Sequence, residues 1–101
     1  MYRQGDVLLV PITETTTAKE VSEENGRLIL AYGETTGHAH AIMSKRAKLY
    51  LDEERMLLHV NGRMPVNLTH EEHSDLLIPA GRYMVVKQKE YDNGFTIHVT
   101  D

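Results

Sequence analysis

Residues 25–32, NGRLILAY, carry the pattern that decides the fold: an Asn-Gly pair followed directly by a run of aliphatic residues. Asn and Gly both tolerate the positive φ angles of a two-residue turn, so this pair is a strong local signal for a β-hairpin. The same dipeptide recurs at residues 61–62 and 93–94, again between runs of β-branched and aliphatic residues. The three pairs predict a chain of short antiparallel strands.

Eight strands are expected around these turns, and no segment has the 3.6-residue apolar repeat of a helix. The predicted strands are residues 7–12, 27–32, 38–43, 48–51, 56–60, 66–70, 82–90 and 95–100. The polar residues 14–24 are expected to form a surface loop or a weak edge strand, with a short helix as the alternative. Residues 78–81, IPAG, predict a turn. Together these features predict an all-β fold, a small antiparallel β-barrel or sandwich.

Length and composition set limits on the function. The 101 residues are expected to form one domain, residues 1–101, and the formal charge of −4 argues against a nucleic-acid-binding protein. The absence of cysteine excludes disulfides and a thiolate zinc site. There is no apolar run that could span a bilayer, and the first residues do not resemble a signal peptide, so we expect a soluble, cytoplasmic protein.

Four of the six histidines fall in two short clusters, His38 with His40 and His70 with His73. Residues two apart on a strand point to the same face, so His38 and His40 are expected to project side by side. His70 continues an apolar row of its strand and is expected to point inward, where an imidazole needs a partner. His59 lies opposite the apolar face of its strand and is expected to be solvated. His98 has the same pattern.

Several imidazoles that meet from different strands form a transition-metal site. We therefore expect one divalent metal ion, Zn²⁺ in the first place, bound by three or four of His38, His40, His70 and His73. Ni²⁺, Cu²⁺, Fe²⁺ and Mn²⁺ are the alternatives, since all of them accept nitrogen ligands.

The number of ligands decides what such a metal would do. With three histidines and a bound water, the metal would supply hydroxide near pH 7, as in a hydrolase or a hydro-lyase such as carbonic anhydrase, acting on a small-molecule substrate. Glu34, Glu71 and Glu72 are the candidates for transferring the proton or orienting the ligands. With four histidines the metal would be structural, in a non-catalytic module.

Simpler interpretations exist for each cluster. His38 and His40 could be polar residues of a half-exposed strand, and residues 70–73 could be a charged turn before a strand at residues 76–78. The protein would then be a metal-free interaction domain. Residues 33–37, which include Glu34, are expected to be a loop, and Gly5-Asp6 is expected to open the first strand without any chemical role.

Two resemblances add to these expectations. The motif at residues 38–40, HAH, followed by residues 74–81, SDLLIPAG, resembles the two metal-site motifs of cupins, small β-barrels that hold a metal with histidines and a glutamate. Met84 stands where cupins have a third histidine, so His70 and His73 would have to replace the missing ligands. Residues 33–40, 68–73 and 78–83 also resemble a family of small uncharacterised bacterial and phage proteins, which implies no activity.

A homodimer or a higher homo-oligomer is also expected. A small β domain has a large surface relative to its core, and its edge strands must be covered or paired. Residues 83–86, YMVV, are apolar on both faces of their strand, which leaves one face available to a partner chain.

Overall fold

The computed structural model describes residues 1–14, 19–33 and 37–88. All regular secondary structure in these ranges is β-strand, as predicted. The strands are β1 (Tyr2–Gln4), β2 (Val7–Pro11), β3 (Lys19–Glu20), β4 (Leu28–Tyr32), β5 (Ala39–Ile42), β6 (Ala47–Asp52), β7 (Arg55–Val60), β8 (Val66–His70), β9 (His73–Ile78) and β10 (Gly81–Lys87). The predicted strand at residues 95–100 lies outside the described residues.

The strands form two antiparallel sheets. The larger sheet has the order β1-β2-β10-β7-β6-β3, and the smaller sheet has the order β4-β5-β8-β9. Fully buried side chains from both sheets form one core between them, among them Leu9, Leu49, Leu58, Ile42 and Leu68. Within the described ranges the two sheets are not hydrogen-bonded into one closed barrel, so the sandwich form of the prediction is confirmed.

Asn25-Gly26 forms the tight turn that its sequence predicts, but the strands on either side, β3 and β4, lie in different sheets, so the expected hairpin is limited to one bridge. Asn25 and Gly26 have φ angles of 52° and 78°, and the flanking residues Glu24 and Arg27 form a β-bridge. Positive φ at both central residues is the geometry of a type I′ turn, which explains the Asn-Gly pair. The pair at residues 93–94 lies outside the described part of the chain.

Within the described ranges the chain crosses between the sheets four times, and two of these crossings lie at residues 61–65 and at residues 79–80. A hairpin was expected at Asn61-Gly62, and this expectation is wrong, because β7 lies in the larger sheet and β8 in the smaller one. The guanidinium of Arg46 donates hydrogen bonds to the backbone carbonyls of Asn61 and Pro65 along this crossing. The connection predicted at residues 78–81 is confirmed, and it returns the chain from β9 to β10.

The hairpins β1–β2, β6–β7 and β8–β9 have two-residue turns, at residues 5–6, 53–54 and 71–72. Two of these turns are Glu-Glu pairs, which are not typical turn dipeptides, so the sequence does not predict a hairpin there. Ion pairing supports one of them, since Arg55 and Asp52, which flank the turn at 53–54, lie 2.8 Å apart. The edge-strand alternative for residues 14–24 is confirmed for β3, which pairs with β6 at the edge of the larger sheet.

The apolar run at residues 83–86 divides between the two faces of the larger sheet. Tyr83 and Val85 are buried in the core, whereas Met84 and Val86 are only partly buried. The expected association of two chains through this strand stays a prediction.

Candidate functional site

Four histidines from β8, β9, β5 and the residue before β5 lie together near the turn between β8 and β9. The ring centres of His40 and His70 are 4.3 Å apart, those of His70 and His73 are 4.7 Å apart, and those of His40 and His73 are 6.0 Å apart. His38, which directly precedes β5, has its ring centre 5.9 Å from that of His70. The structure therefore brings all four predicted ligand residues into one group, called here the histidine cluster.

Two β-bulges lie beside the cluster. The register between β4 and β5 shifts between Ile29 and Ala31, so that the small side chain of Ala31 lies opposite His40. The register between β8 and β9 shifts between Leu68 and His70, next to the pair of His70 and His73. Bulges change which way a side chain points and are frequent next to functional sites. The two bulges explain why the alternation of inward and outward side chains is interrupted in β4 and β8.

Two glycines leave room for the imidazoles. A Cβ atom on Gly5 would lie 2.6 Å from Nε2 of His73, and one on Gly33 would lie 3.0 Å from Nε2 of His70. Gly5 also has a φ of +58°, a left-handed conformation that disfavours other residues. The backbone at these positions therefore lies so close to the cluster that a side chain there would have to displace an imidazole.

The turn between β1 and β2 packs on the cluster from the larger sheet. Gln4 is 2% exposed and donates its amide hydrogens to the carbonyls of Leu68, at 2.8 Å, and Ser74, at 2.9 Å. Its Oε1 atom lies 2.9 Å from Nδ1 of His40, while Oδ1 of Asp6 lies 3.3 Å from Nε2 of the same ring. This placement brings Asp6 to the cluster without testing the expectation that Gly5-Asp6 has no chemical role, and the sequence interpretation missed Gln4 altogether.

Glu72 contacts two of the histidines from the turn between β8 and β9. Its carboxylate accepts a hydrogen bond from Nδ1 of His38 at 2.9 Å, and its backbone N–H donates to Nδ1 of His70 at 3.0 Å. The first bond places the proton of His38 on Nδ1, and the second places that of His70 on Nε2 when the rings are neutral.

Glu71, the other residue of this turn, holds the start of β5. Its carboxylate accepts a hydrogen bond from the backbone N–H of Ala39 at 2.9 Å, and this bond lowers the pKa of Glu71. Arg27 lies 3.9 Å from the same carboxylate. Both carboxylates of the turn are thus at the cluster, whereas Glu34 lies outside the described residues.

Burial favours the neutral form of the central imidazoles. His40 is 1% exposed, and burial lowers its pKa, with a further lowering from His70 and an opposing effect from Asp6. Burial also lowers the pKa of His70, and the nearby His73 adds to this effect. A neutral imidazole keeps one nitrogen lone pair, which is the form that binds metals.

These pKa shifts predict that the metal-free protein loses stability in mild acid. The folded-state pKa values of His40 and His70 lie below the ordinary value of 6.5. As the pH falls, the unfolded chain therefore takes up protons first, so stability that is present above pH 6.5 is lost as the pH falls through the folded-state pKa values. Urea denaturation at pH 7.5 and pH 5 checks this, and a His40→Gln variant should show a smaller difference between the two pH values. An equal difference in both proteins would contradict the assignment.

The ring orientations are not those of a formed metal site. Among the residues that the structure describes, no group of three or more His, Cys, Asp or Glu side chains is arranged to hold a metal ion. The hydrogen bond from Glu72 to His70 gives one physical reason, because a proton on Nε2 of His70 leaves that atom without a lone pair.

His59 lies apart from the cluster, on β7 of the larger sheet. It is half-buried rather than solvated, with its ring centre 4.8 Å from that of Tyr50. Its Nε2 atom is buried and has no hydrogen-bond partner within the described part of the chain. The prediction that it is solvated is therefore wrong, while His98 lies outside the described residues.

In the described ranges no helix is long and apolar enough to cross a membrane.

Comparisons with known proteins show only the family of the chain. No curated protein and no solved structure was found to match the chain, and nothing in these comparisons supports the resemblance to cupins. A family model described as a domain of unknown function matches residues 3–88, a range that contains the whole histidine cluster and the turn between β1 and β2. The chain therefore belongs to this family, the domain of unknown function DUF8820.

Proposed function

We propose that this protein binds one divalent transition-metal ion, Zn²⁺ in the first place, through His40, His70 and His73. The observation that carries the proposal is the spacing of these three imidazoles, whose ring centres are 4.3 to 6.0 Å apart. Imidazoles bound to one tetrahedral zinc at about 2.0–2.1 Å have their ring centres about 5 Å apart, so the observed spacing brackets the required one.

The chemistry of the donors also fits a metal of this class. The cluster offers neutral nitrogen ligands and a carboxylate but no sulfur, a set suited to Zn²⁺ and to its first-row neighbours. The space left by Gly5 and Gly33 is where Nε2 of His73 and Nε2 of His70 lie. Small residues at both positions are what a cluster of converging imidazoles requires.

Binding requires the His70 ring to turn and release its hydrogen bond from Glu72. One such bond contributes about 0.5–1.5 kcal/mol to stability. Structural zinc sites, by comparison, bind with about 10 kcal/mol or more. The present orientation of His70 is therefore a small obstacle, and the metal-free arrangement is compatible with a site that forms when the ion enters.

Two uses of the metal follow from the surroundings of the cluster. The cluster joins a turn of the larger sheet to three strands of the smaller one, so a metal there would hold the sandwich together.

The second use is catalytic. The side chains of His38 and Asp6 are 26% and 27% exposed, so a small-molecule substrate could approach from that side. A bound Zn²⁺ would supply Lewis-acid activation of water for a hydrolase or hydro-lyase reaction. His38, held through Nδ1 by Glu72, would then offer Nε2 as a proton acceptor.

Metal analysis tests the proposal. Protein purified without a histidine tag should contain about one equivalent of a transition metal per chain. Removing the metal should lower the melting temperature, because a ligand at 100 times its Kd stabilises the folded state by about 2.7 kcal/mol. Protein that contains no metal and gains no stability from added Zn²⁺, Ni²⁺ or Co²⁺ would favour a metal-free interaction domain instead.

Cobalt substitution separates the two uses. If a coordination position is open, added anions should change the visible spectrum of the cobalt protein, and activity should appear in a panel of CO₂ hydration, ester hydrolysis and phosphoester hydrolysis. A Glu72→Gln variant should then lose activity by about 100-fold. A spectrum that anions leave unchanged, with no activity in the panel, supports the structural use.

A further inference from the structure

We infer that the turn between β1 and β2 completes the metal site, with Asp6 as a carboxylate ligand beside His40 and Gln4 as the residue that sets the His40 tautomer. This inference rests on the proposed metal site and names the ligands within it. It assigns functions to Asp6 and Gln4, which the sequence pattern does not identify as residues of a metal site.

The first step is the orientation of the Gln4 side chain. Its Nε2 atom donates to two backbone carbonyls, those of Leu68 and Ser74, at 2.8 and 2.9 Å. Those two bonds direct the amide nitrogen away from His40 and leave the amide oxygen, Oε1, to face Nδ1 of His40 at 2.9 Å. A carbonyl oxygen only accepts hydrogen bonds, so the network assigns a proton to Nδ1 of His40.

The second step is the contact on the other side of the ring. With its proton on Nδ1, a neutral His40 has a lone pair on Nε2, and that atom lies 3.3 Å from Oδ1 of Asp6. A lone pair and a carboxylate oxygen are both acceptors, so they cannot bond to each other directly. Either a proton on Nε2, which would donate to Asp6, or a metal ion bound to both atoms makes this contact a stabilising one.

The third step is the distance itself. Two ligand atoms about 2.0–2.1 Å from a tetrahedral zinc ion lie about 3.3 Å apart, since that is the edge of the tetrahedron. The separation of 3.3 Å between Nε2 of His40 and Oδ1 of Asp6 matches this edge. His40 and Asp6 thus already have the spacing of two ligands to one metal ion.

The fourth step is the comparison of Asp6 with His38, the other candidate for the last ligand. His38 has its Nδ1 atom bonded to Glu72, and its ring centre is 5.9 Å from that of His70. Asp6, by contrast, lies against His40, the most buried ring of the cluster. The ligand set is then His40, His70, His73 and Asp6, which fills a tetrahedral site and favours the structural use of the metal.

Nitrogen NMR of the metal-free protein tests the role of Gln4 without any metal. At neutral pH, His40 should carry its proton on Nδ1 and none on Nε2. A Gln4→Leu variant, which has no acceptor oxygen to face Nδ1, should lose this preference. A His40 ring protonated on both nitrogens, or on Nε2 alone, would overturn the inference, because a proton rather than a metal would then occupy the contact with Asp6.

Cobalt titration tests the role of Asp6. Asp6→Ala should weaken Co²⁺ binding by about 10- to 100-fold, the range for groups that tune a metal site, or by more. It should also open a position at which azide changes the visible spectrum. His38→Gln should weaken binding less than Asp6→Ala, and the control Asp52→Ala, at the end of β6, should not weaken it.

The results of the cobalt titration distinguish a failure of the ligand role of Asp6 from a failure of the proposed metal site. Wild-type binding with no loss in Asp6→Ala, or a larger loss in His38→Gln, overturns the ligand role of Asp6 and leaves the metal site standing. A wild-type protein that binds no Co²⁺ or Zn²⁺ overturns the metal site and the ligand role together.

Discussion

Replacing His40 or His70 by alanine is expected to abolish tight zinc binding, whereas replacing His59 should leave it almost unchanged. Each of the first two substitutions removes one of three nitrogen ligands. Removing only a supporting group commonly weakens metal binding 10- to 100-fold, so the loss of a ligand should exceed about 100-fold. Competition with a chromogenic chelator measures the zinc affinity of each variant.

His59 is a matched control for these substitutions. It is also a half-buried strand histidine whose pKa is lowered by burial, yet it lies on the larger sheet beside Tyr50. Its replacement therefore reports the effect of losing a histidine without touching the cluster. Equal losses of affinity at His40, His70 and His59 would contradict the assignment, since general destabilisation would then explain all three. On its sequence pattern, His98→Ala is expected to behave like His59→Ala.

The sequence predicts the histidine cluster because its signal is local. His38 and His40 are two residues apart, and His70 continues the apolar row of Val66 and Leu68 on β8. Alternation along a strand needs no knowledge of the neighbouring strands, so the order of residues alone predicts His70 on the face of Val66 and Leu68. The bulge between Leu68 and His70 interrupts that alternation, and His70 is only partly buried. The same reasoning placed His59 on the face opposite the core, where it lies.

What the sequence does not predict depends on which strands become neighbours. The hydrogen bonds that place Gln4 join residues 36 and 64 positions apart in the chain, to His40 and to Leu68. A three-residue strand such as β1 is too short for its alternation to be recognised, so the sequence does not predict that Gln4 is buried. Asn61-Gly62 shows the same limit, since a turn dipeptide does not specify whether the next strand joins the same sheet.

The effect of a single added methyl group on the site is expected to be largest at Gly5. In a Gly5→Ala variant the new Cβ atom would lie 2.6 Å from Nε2 of His73, on a backbone with a φ of +58°. The conformational strain alone should lower the free energy of unfolding by about 1–3 kcal/mol. The contact should add a second effect, because the His73 ring is the end of a side chain and can move aside. Once it moves, it leaves the cluster, so zinc affinity should fall by about tenfold or more.

A Gly26→Ala variant separates the effect of backbone strain from the effect of displacing the His73 ring. Gly26 has a φ of +78°, but a Cβ atom there would meet nothing within 4 Å. The two variants should therefore lose similar stability in urea denaturation, while only Gly5→Ala should lose zinc affinity. Gly33→Ala completes the comparison, because its Cβ atom would lie 3.0 Å from Nε2 of His70 and 3.0 Å from Cβ of His38, without a left-handed backbone. That variant should also lose zinc affinity, since the His70 ring would have to move. Equal zinc affinity in the Gly5 and Gly26 variants would show that His73 is not a ligand, since displacing its ring would then have no consequence for the metal.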